Sequence, residues 1–86
     1  MAKIEIYTTP ICPYCARAKQ LLEDKGADYT EIDVMMDPDM RQTMCQRAGG
    51  RSTVPQIFID GAHVGGCEEL QMLERAGKLG PLLGGR

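Results

Sequence analysis

Apolar and polar residues alternate from Lys3 to Thr8, with Ile4 and Ile6 on one face and Glu5 and Tyr7 on the other. That period of two predicts a strand with one firmly apolar face. Behind Pro13 the period changes. Ala18, Leu21 and Leu22 recur at helical spacing, and Gly26 is placed to stop that helix. Proline suits a first helical turn, where its missing N–H costs nothing. Tyr29 to Val34 reads as a second strand, with Ile32 and Val34 on one face. Asp37-Pro38 opens a second helix, a capping acid followed by proline at the first helical position. Met40, Met44 and Ala48 continue it, and Gly49-Gly50 ends it. Gln56 to Asp60 is a strand carrying Ile57, Phe58 and Ile59, and Asp60-Gly61 signals a hairpin into Ala62 to Val64. After Gly65-Gly66 a third helix runs from Cys67 to Ala76, with Leu70 and Leu73 facing a core and Gly77 as its stop. The segment from Gly80 to Arg86 reads as a frayed or loosely docked tail.

The predicted order is therefore β-α-β-α-β-β-α, an α/β arrangement. A helix joins the first two strands, so they should be parallel, with a right-handed crossover. The last two should form an antiparallel hairpin. The expected product is a four-stranded mixed sheet flanked by three helices, with residues 1–86 as a single domain.

Composition narrows the function. The formal net charge is −2 and no basic run occurs, which argues against nucleic-acid binding. No apolar stretch approaches the roughly 20 residues that a membrane-spanning helix needs. The N-terminus enters a strand pattern at once, without the apolar core of a secretory signal. The expected setting is the cytoplasm, where thiols are kept reduced.

The chemistry lies in Cys12-Pro13-Tyr14-Cys15. A Cys-x-x-Cys pair between a strand and a helix reads as a redox motif. Only a thiolate attacks a disulfide, and an ordinary cysteine is mostly protonated at neutral pH. Cys12 is predicted at a helix N-terminus, where unpaired N–H groups and the helix dipole favour negative charge. Cys12 is thus the expected nucleophile. Cys15 lies nearly one turn on and should be deeper, protonated until it resolves a mixed disulfide on Cys12. Tyr14 offers an aromatic wall. A zinc site needs about four ligands, and Cys45, His63 and Cys67 supply no second close pair, so no metal is expected. Cys45 reads as a core or flanking residue, His63 as a hairpin surface residue, and the methionines after Met1 as core filler. Cys67, near a helix start, is expected to be unusually acidic, although its main role would be packing and ligand contact.

Three further segments appear in order: Thr53-Val54-Pro55-Gln56-Ile57-Phe58-Ile59, Gly65-Gly66-Cys67-Glu68-Glu69, and the helical pattern between the first two cysteines and the former. Together with Ile6-Tyr7-Thr8 and Cys12-Pro13-Tyr14-Cys15 they resemble the glutaredoxin family, in its small dithiol bacterial form. The resemblance covers nearly the whole chain. The absence of tryptophan separates it from ordinary thioredoxins.

The resemblance implies the thioredoxin fold, with a cis Pro55. It implies an enzyme that uses glutathione as reductant and reduces glutathione mixed disulfides and protein disulfides. It also implies a monomer whose partners are glutathione and glutathionylated or disulfide-containing proteins. By that resemblance Val54 would present its backbone to glutathione as a short β-ladder, and Thr53 would line the same groove. Gly66, Cys67 and Glu68 would hold the γ-glutamyl end: glycine allows close approach, and a helix N-terminus attracts a carboxylate. Glu68 would face the ammonium group. Many members carry a lysine just before the active site, whereas this chain has Thr8, Thr9, Pro10 and Ile11. Arg41, Arg47 and Arg51 are alternative sources of that charge, and sequence does not choose among them. Two other functions stay open at this level. One is an iron–sulfur carrier, disfavoured by Pro13 and the second cysteine. The other is a redox-inert binding module.

Overall fold

A computed structural model describes residues 3–83. Its elements are β1 (Ile4–Thr8), α1 (Pro13–Asp24), β2 (Thr30–Asp33), α2 (Pro38–Arg47), β3 (Gln56–Ile59), β4 (Ala62–Gly65), α3 (Cys67–Arg75) and α4 (Leu79–Leu82). The four strands form one sheet in the order β2-β1-β3-β4. β1 runs parallel to β2 and antiparallel to β3, and β3 and β4 make an antiparallel hairpin. This is the mixed sheet expected from the alternation of periods.

Both sheet faces are covered, each by a separate apolar cluster. Ile4, Ile6, Ile57 and Ile59 pack with Ala18, Leu22 and Leu70. On the opposite face Tyr7, Phe58 and Val34 pack with Met44 and Ala48. Tyr7 is therefore buried rather than solvated, because α2 closes the second face of β1. Arg47 binds α2 to that face. Its guanidinium donates to the Tyr7 hydroxyl at 2.8 Å and to Glu5 at 3.0 Å, and lies 4.1 Å from the Phe58 ring centroid.

Two expectations need correction. The segment from Gly80, expected as a frayed or loosely docked tail, is helical through Leu82. With Leu79 it forms the fourth, short helix, and Leu79 is fully buried among Ile4, Leu22 and Leu70. Leu79 belongs to the first cluster, and Leu83 packs against it. Gly84 to Arg86 lie outside the described residues. The methionines are not uniformly core: Met44 is buried, but Met35, Met36 and Met72 are exposed. Among the described residues no helix is long and apolar enough to cross a membrane.

Candidate active site

The site forms where three chain segments meet. The first is the N-terminus of α1. Cys12 is the cap residue, in extended conformation, with Pro13 at the first helical position and no acid in the first turn. Cysteine is an uncommon cap, yet here its sulfur does the work usually given to a hydroxyl or carboxylate oxygen. The backbone N–H of Cys15 donates to Cys12 Sγ at 3.3 Å. Cys12 is half-buried, whereas Cys15 faces the core. Burial, together with the hydrogen bond to Cys12, pushes the Cys15 thiol up to about 12, although Lys19 opposes the shift. Lys19 itself is held by Glu31 at 2.9 Å, and Glu31 also accepts from the Thr8 hydroxyl at 2.7 Å.

The second segment is the turn before β3, where the Val54–Pro55 peptide is cis. The Cys12 thiol donates to the Val54 carbonyl at 3.7 Å. This contact joins residues 42 positions apart in sequence.

The third segment is the start of α3. Gly66 is its cap residue, and a Cβ there would lie 3.2 Å from the Pro55 carbonyl oxygen. Glycine thus lets α3 approach the cis turn. Gly65 has φ +124°, and a Cβ would come within 2.8 Å of Glu69. Glu69 folds back to accept from the Gly66 N–H at 2.6 Å, satisfying one of the free donors at the helix start. That hydrogen bond, aided by Arg51, holds the Glu69 carboxyl below the usual carboxylate range.

Between these segments runs an open groove of about 240 Å³, lined by Tyr14, Arg51, Thr53, Val54, Pro55, Gly66, Cys67, Glu68 and Glu69. Every residue assigned to glutathione from the sequence lines it. Two lining residues were not assigned. Glu69 serves the helix cap, while Glu68, next along, is exposed and free of any hydrogen bond among the described residues. The adjacent acids thus differ, one capping the helix and the other facing solvent. Of the three arginines, Arg51 alone lines the groove. Arg47 is tied to Glu5 and Tyr7, and Arg41 donates to the Ser52 carbonyl at 2.9 Å. Arg51 is exposed, lines the groove and approaches Glu69 at 3.6 Å.

Cys67 departs from expectation. It begins α3, but burial pushes its thiol up rather than down, and the nearby Cys12 and Glu69 add to that shift. Desolvation outweighs the helix terminus. Cys45 packs at the edge of the α2 cluster, as expected. His63 is exposed on the hairpin but is not free: its Nε2 meets Gln56 Oε1 at 2.6 Å. A larger apolar cavity, about 550 Å³, lies between the β3–β4 hairpin and α3–α4. It contains no cysteine, whereas the smaller groove borders Val54, whose carbonyl meets the Cys12 thiol.

The glutaredoxin family profile matches residues 4–64. The chain belongs to the glutaredoxin family. It is 54% identical to a glutaredoxin of Pseudomonas aeruginosa over 83 residues, which covers 96% of this chain and 98% of that one. A solution structure of glutaredoxin from Brucella melitensis superposes with a TM-score of 0.85 at 55% identity, covering 96% of this chain and 89% of the other. The crystal structure of a buckwheat glutaredoxin–glutathione complex superposes with a TM-score of 0.86 at 34% identity, covering 95% and 76%. The architecture is thus the thioredoxin fold of glutaredoxins, and the family's activity is thiol oxidoreduction. In this glutaredoxin the cis turn and the start of α3 line the groove, and Cys12 meets it through the Val54 carbonyl.

Proposed function

We propose that this chain is a glutathione-dependent thiol-disulfide oxidoreductase acting as one glutaredoxin-like domain. Cys12 is the nucleophile and Cys15 the resolving thiol. Tyr14, Thr53, Val54, Pro55, Gly66, Cys67 and Glu68 bind glutathione. The observation that carries this reading is the position of Cys12 Sγ. It sits at a helix start, takes the Cys15 N–H, and touches the Val54 carbonyl where the groove begins.

In the monothiol route, the Cys12 thiolate attacks the glutathionyl sulfur of a mixed disulfide. The S–S bond breaks, the substrate thiolate leaves and takes up a proton, and glutathione stays on Cys12. The thiolate of a second glutathione attacks the glutathionyl sulfur. Glutathione disulfide leaves and the Cys12 thiolate returns. The Cys15 N–H remains a donor to Cys12 sulfur throughout the thiolate stages. The contact to Val54 exists only while Cys12 carries a proton, so ionisation releases that carbonyl to pair with glutathione backbone.

In the dithiol route, Cys12 forms a mixed disulfide with a protein substrate. Cys15 then attacks Cys12 Sγ, and its proton goes to the departing substrate thiolate. The resulting Cys12–Cys15 disulfide is reduced by two glutathiones. Glutaredoxin potentials of roughly −200 to −230 mV lie within reach of the glutathione pool. The raised affinity of Cys15 for its proton keeps the thiol idle until Cys12 is engaged.

The test is turnover of a small glutathione mixed disulfide by wild type, Cys12→Ser and Cys15→Ser. The reading expects loss of activity with Cys12→Ser and retention with Cys15→Ser. An inactive wild type, or an active Cys12→Ser variant, would refute it.

A further inference from the structure

Gln56 is fully buried, directly after the cis turn, and its carboxamide links two exposed residues. Its Nε2 donates to the Thr53 carbonyl at 2.9 Å and to the Thr53 hydroxyl oxygen at 3.2 Å. Its Oε1 lies 2.6 Å from His63 Nε2 on β4. The orientation of the amide follows from its partners. A carbonyl can only accept, so the amide nitrogen must face Thr53. The amide oxygen then faces His63, whose Nε2 must carry a hydrogen. Burial and the charge of Arg51 hold His63 below its ordinary pKa, so a neutral ring protonated on Nε2 completes the chain at neutral pH. The ring is steadied by Phe58, 5.0 Å away between centroids.

This chain has a consequence for the groove. The Thr53 oxygen already receives a hydrogen from Gln56, which leaves its own hydrogen to be given elsewhere. Thr53 and Arg51 line the same groove. We infer that His63 and Gln56 are positioning residues that hold Thr53 in place and set its hydroxyl as a hydrogen-bond donor toward a carboxylate of the bound thiol. The inference rests on the proposed glutathione-dependent use of this groove. Neither residue reaches the sulfur chemistry, so their effect falls on ligand binding and not on the chemical steps.

The experiment compares wild type, His63→Phe and His63→Gln. Phenylalanine keeps a ring against Phe58 but has no N–H, whereas glutamine restores a donor to Gln56. With the mixed disulfide of glutathione and 2-mercaptoethanol, His63→Phe should raise KM about three- to tenfold, the effect of one lost neutral hydrogen bond, with kcat unchanged. His63→Gln should return KM to within about twofold of wild type. Imidazole ¹⁵N shifts of wild type should show the proton on Nε2, and the Thr53 amide resonance should move in His63→Phe. An unchanged KM in His63→Phe, a failure of His63→Gln to restore it, or a neutral ring protonated on Nδ1 would each overturn the inference. Were wild type inactive with this substrate, the functional reading would fall. The ¹⁵N shifts and the Thr53 resonance would then still decide whether His63 positions Thr53.

Discussion

The backbone N–H of Cys15 points at the sulfur of Cys12 from 3.3 Å, so the first thiol residue caps α1 through the backbone of the second. The same three-residue spacing produces two opposite environments. Cys12 sits half-exposed at the helix end, and Cys15 is 1% exposed among core side chains. One thiol is open to solvent and the other is shielded from it.

That asymmetry predicts selective alkylation. Brief iodoacetamide treatment of the reduced protein at pH 7.5 or so, followed by peptide mapping, should place the adduct on Cys12 and leave Cys15 unmodified. Because burial pushes the Cys15 thiol up to about 12, raising the pH to 9 should not bring Cys15 into reaction. An adduct on Cys15 in the folded protein at pH 9 would contradict the burial and protonation described above.

Under the proposed use of glutathione, Arg51 is the arginine placed in the groove to meet a ligand carboxylate. Replacing it with alanine should raise KM for a glutathione mixed disulfide about two- to fivefold, the range of an exposed ion pair. The difference from wild type should shrink in 1 M salt, where the Debye length is about 3 Å. Arg51→Lys should retain part of the effect. An Arg51→Ala variant with unchanged KM at low salt would remove Arg51 from the groove's function.

Glu69 couples stability to acid. Its carboxyl is held below the usual range, first by the Gly66 N–H. A carboxyl depressed in the folded state contributes stability that is present above its unfolded pKa and lost as pH falls through the folded one. Melting temperatures between pH 7 and pH 3 should therefore drop less steeply for Glu69→Gln than for wild type. Parallel curves would show that the cap carries no such linkage.

Leu79 tests whether the last described turn belongs to the fold. The side chain is fully buried against the first core cluster. Leu79→Ala should cost about 2–5 kcal/mol in urea unfolding, the usual range for a buried leucine. Leu82→Ala, at an exposed neighbour, should cost about 0.5 kcal/mol or less. Equal, small losses for both would mean that the turn is not docked.

The elements were readable because each is encoded locally. Pro13 and Pro38 stand at helix starts, Asp37 accepts from the Met40 N–H at 3.0 Å, and Asp60-Gly61 makes the hairpin turn. The strand periods lay in Ile4/Ile6 and in Ile57 to Ile59. Tyr7 was harder to place, because alternation cannot show that a second helix covers the polar-looking face. The end of the chain is hard to read from sequence for a similar reason. Leu79-Gly80-Pro81-Leu82 has weak helical character by itself, and its order comes from the core that receives Leu79.

The candidate site divides along the same line. Sequence by itself determined the thiol pair, its place at a helix start and the glycines before α3, since each depends on residues close in the chain, while the cis turn followed from the family resemblance. Only the tertiary structure decided which of three arginines enters the groove, which of two adjacent glutamates caps the helix, and that Cys67 is raised rather than lowered. It alone joined His63 to Thr53 through Gln56. These outcomes depend on desolvation and on distances between separate elements, and neither quantity exists until the sheet has brought those elements together.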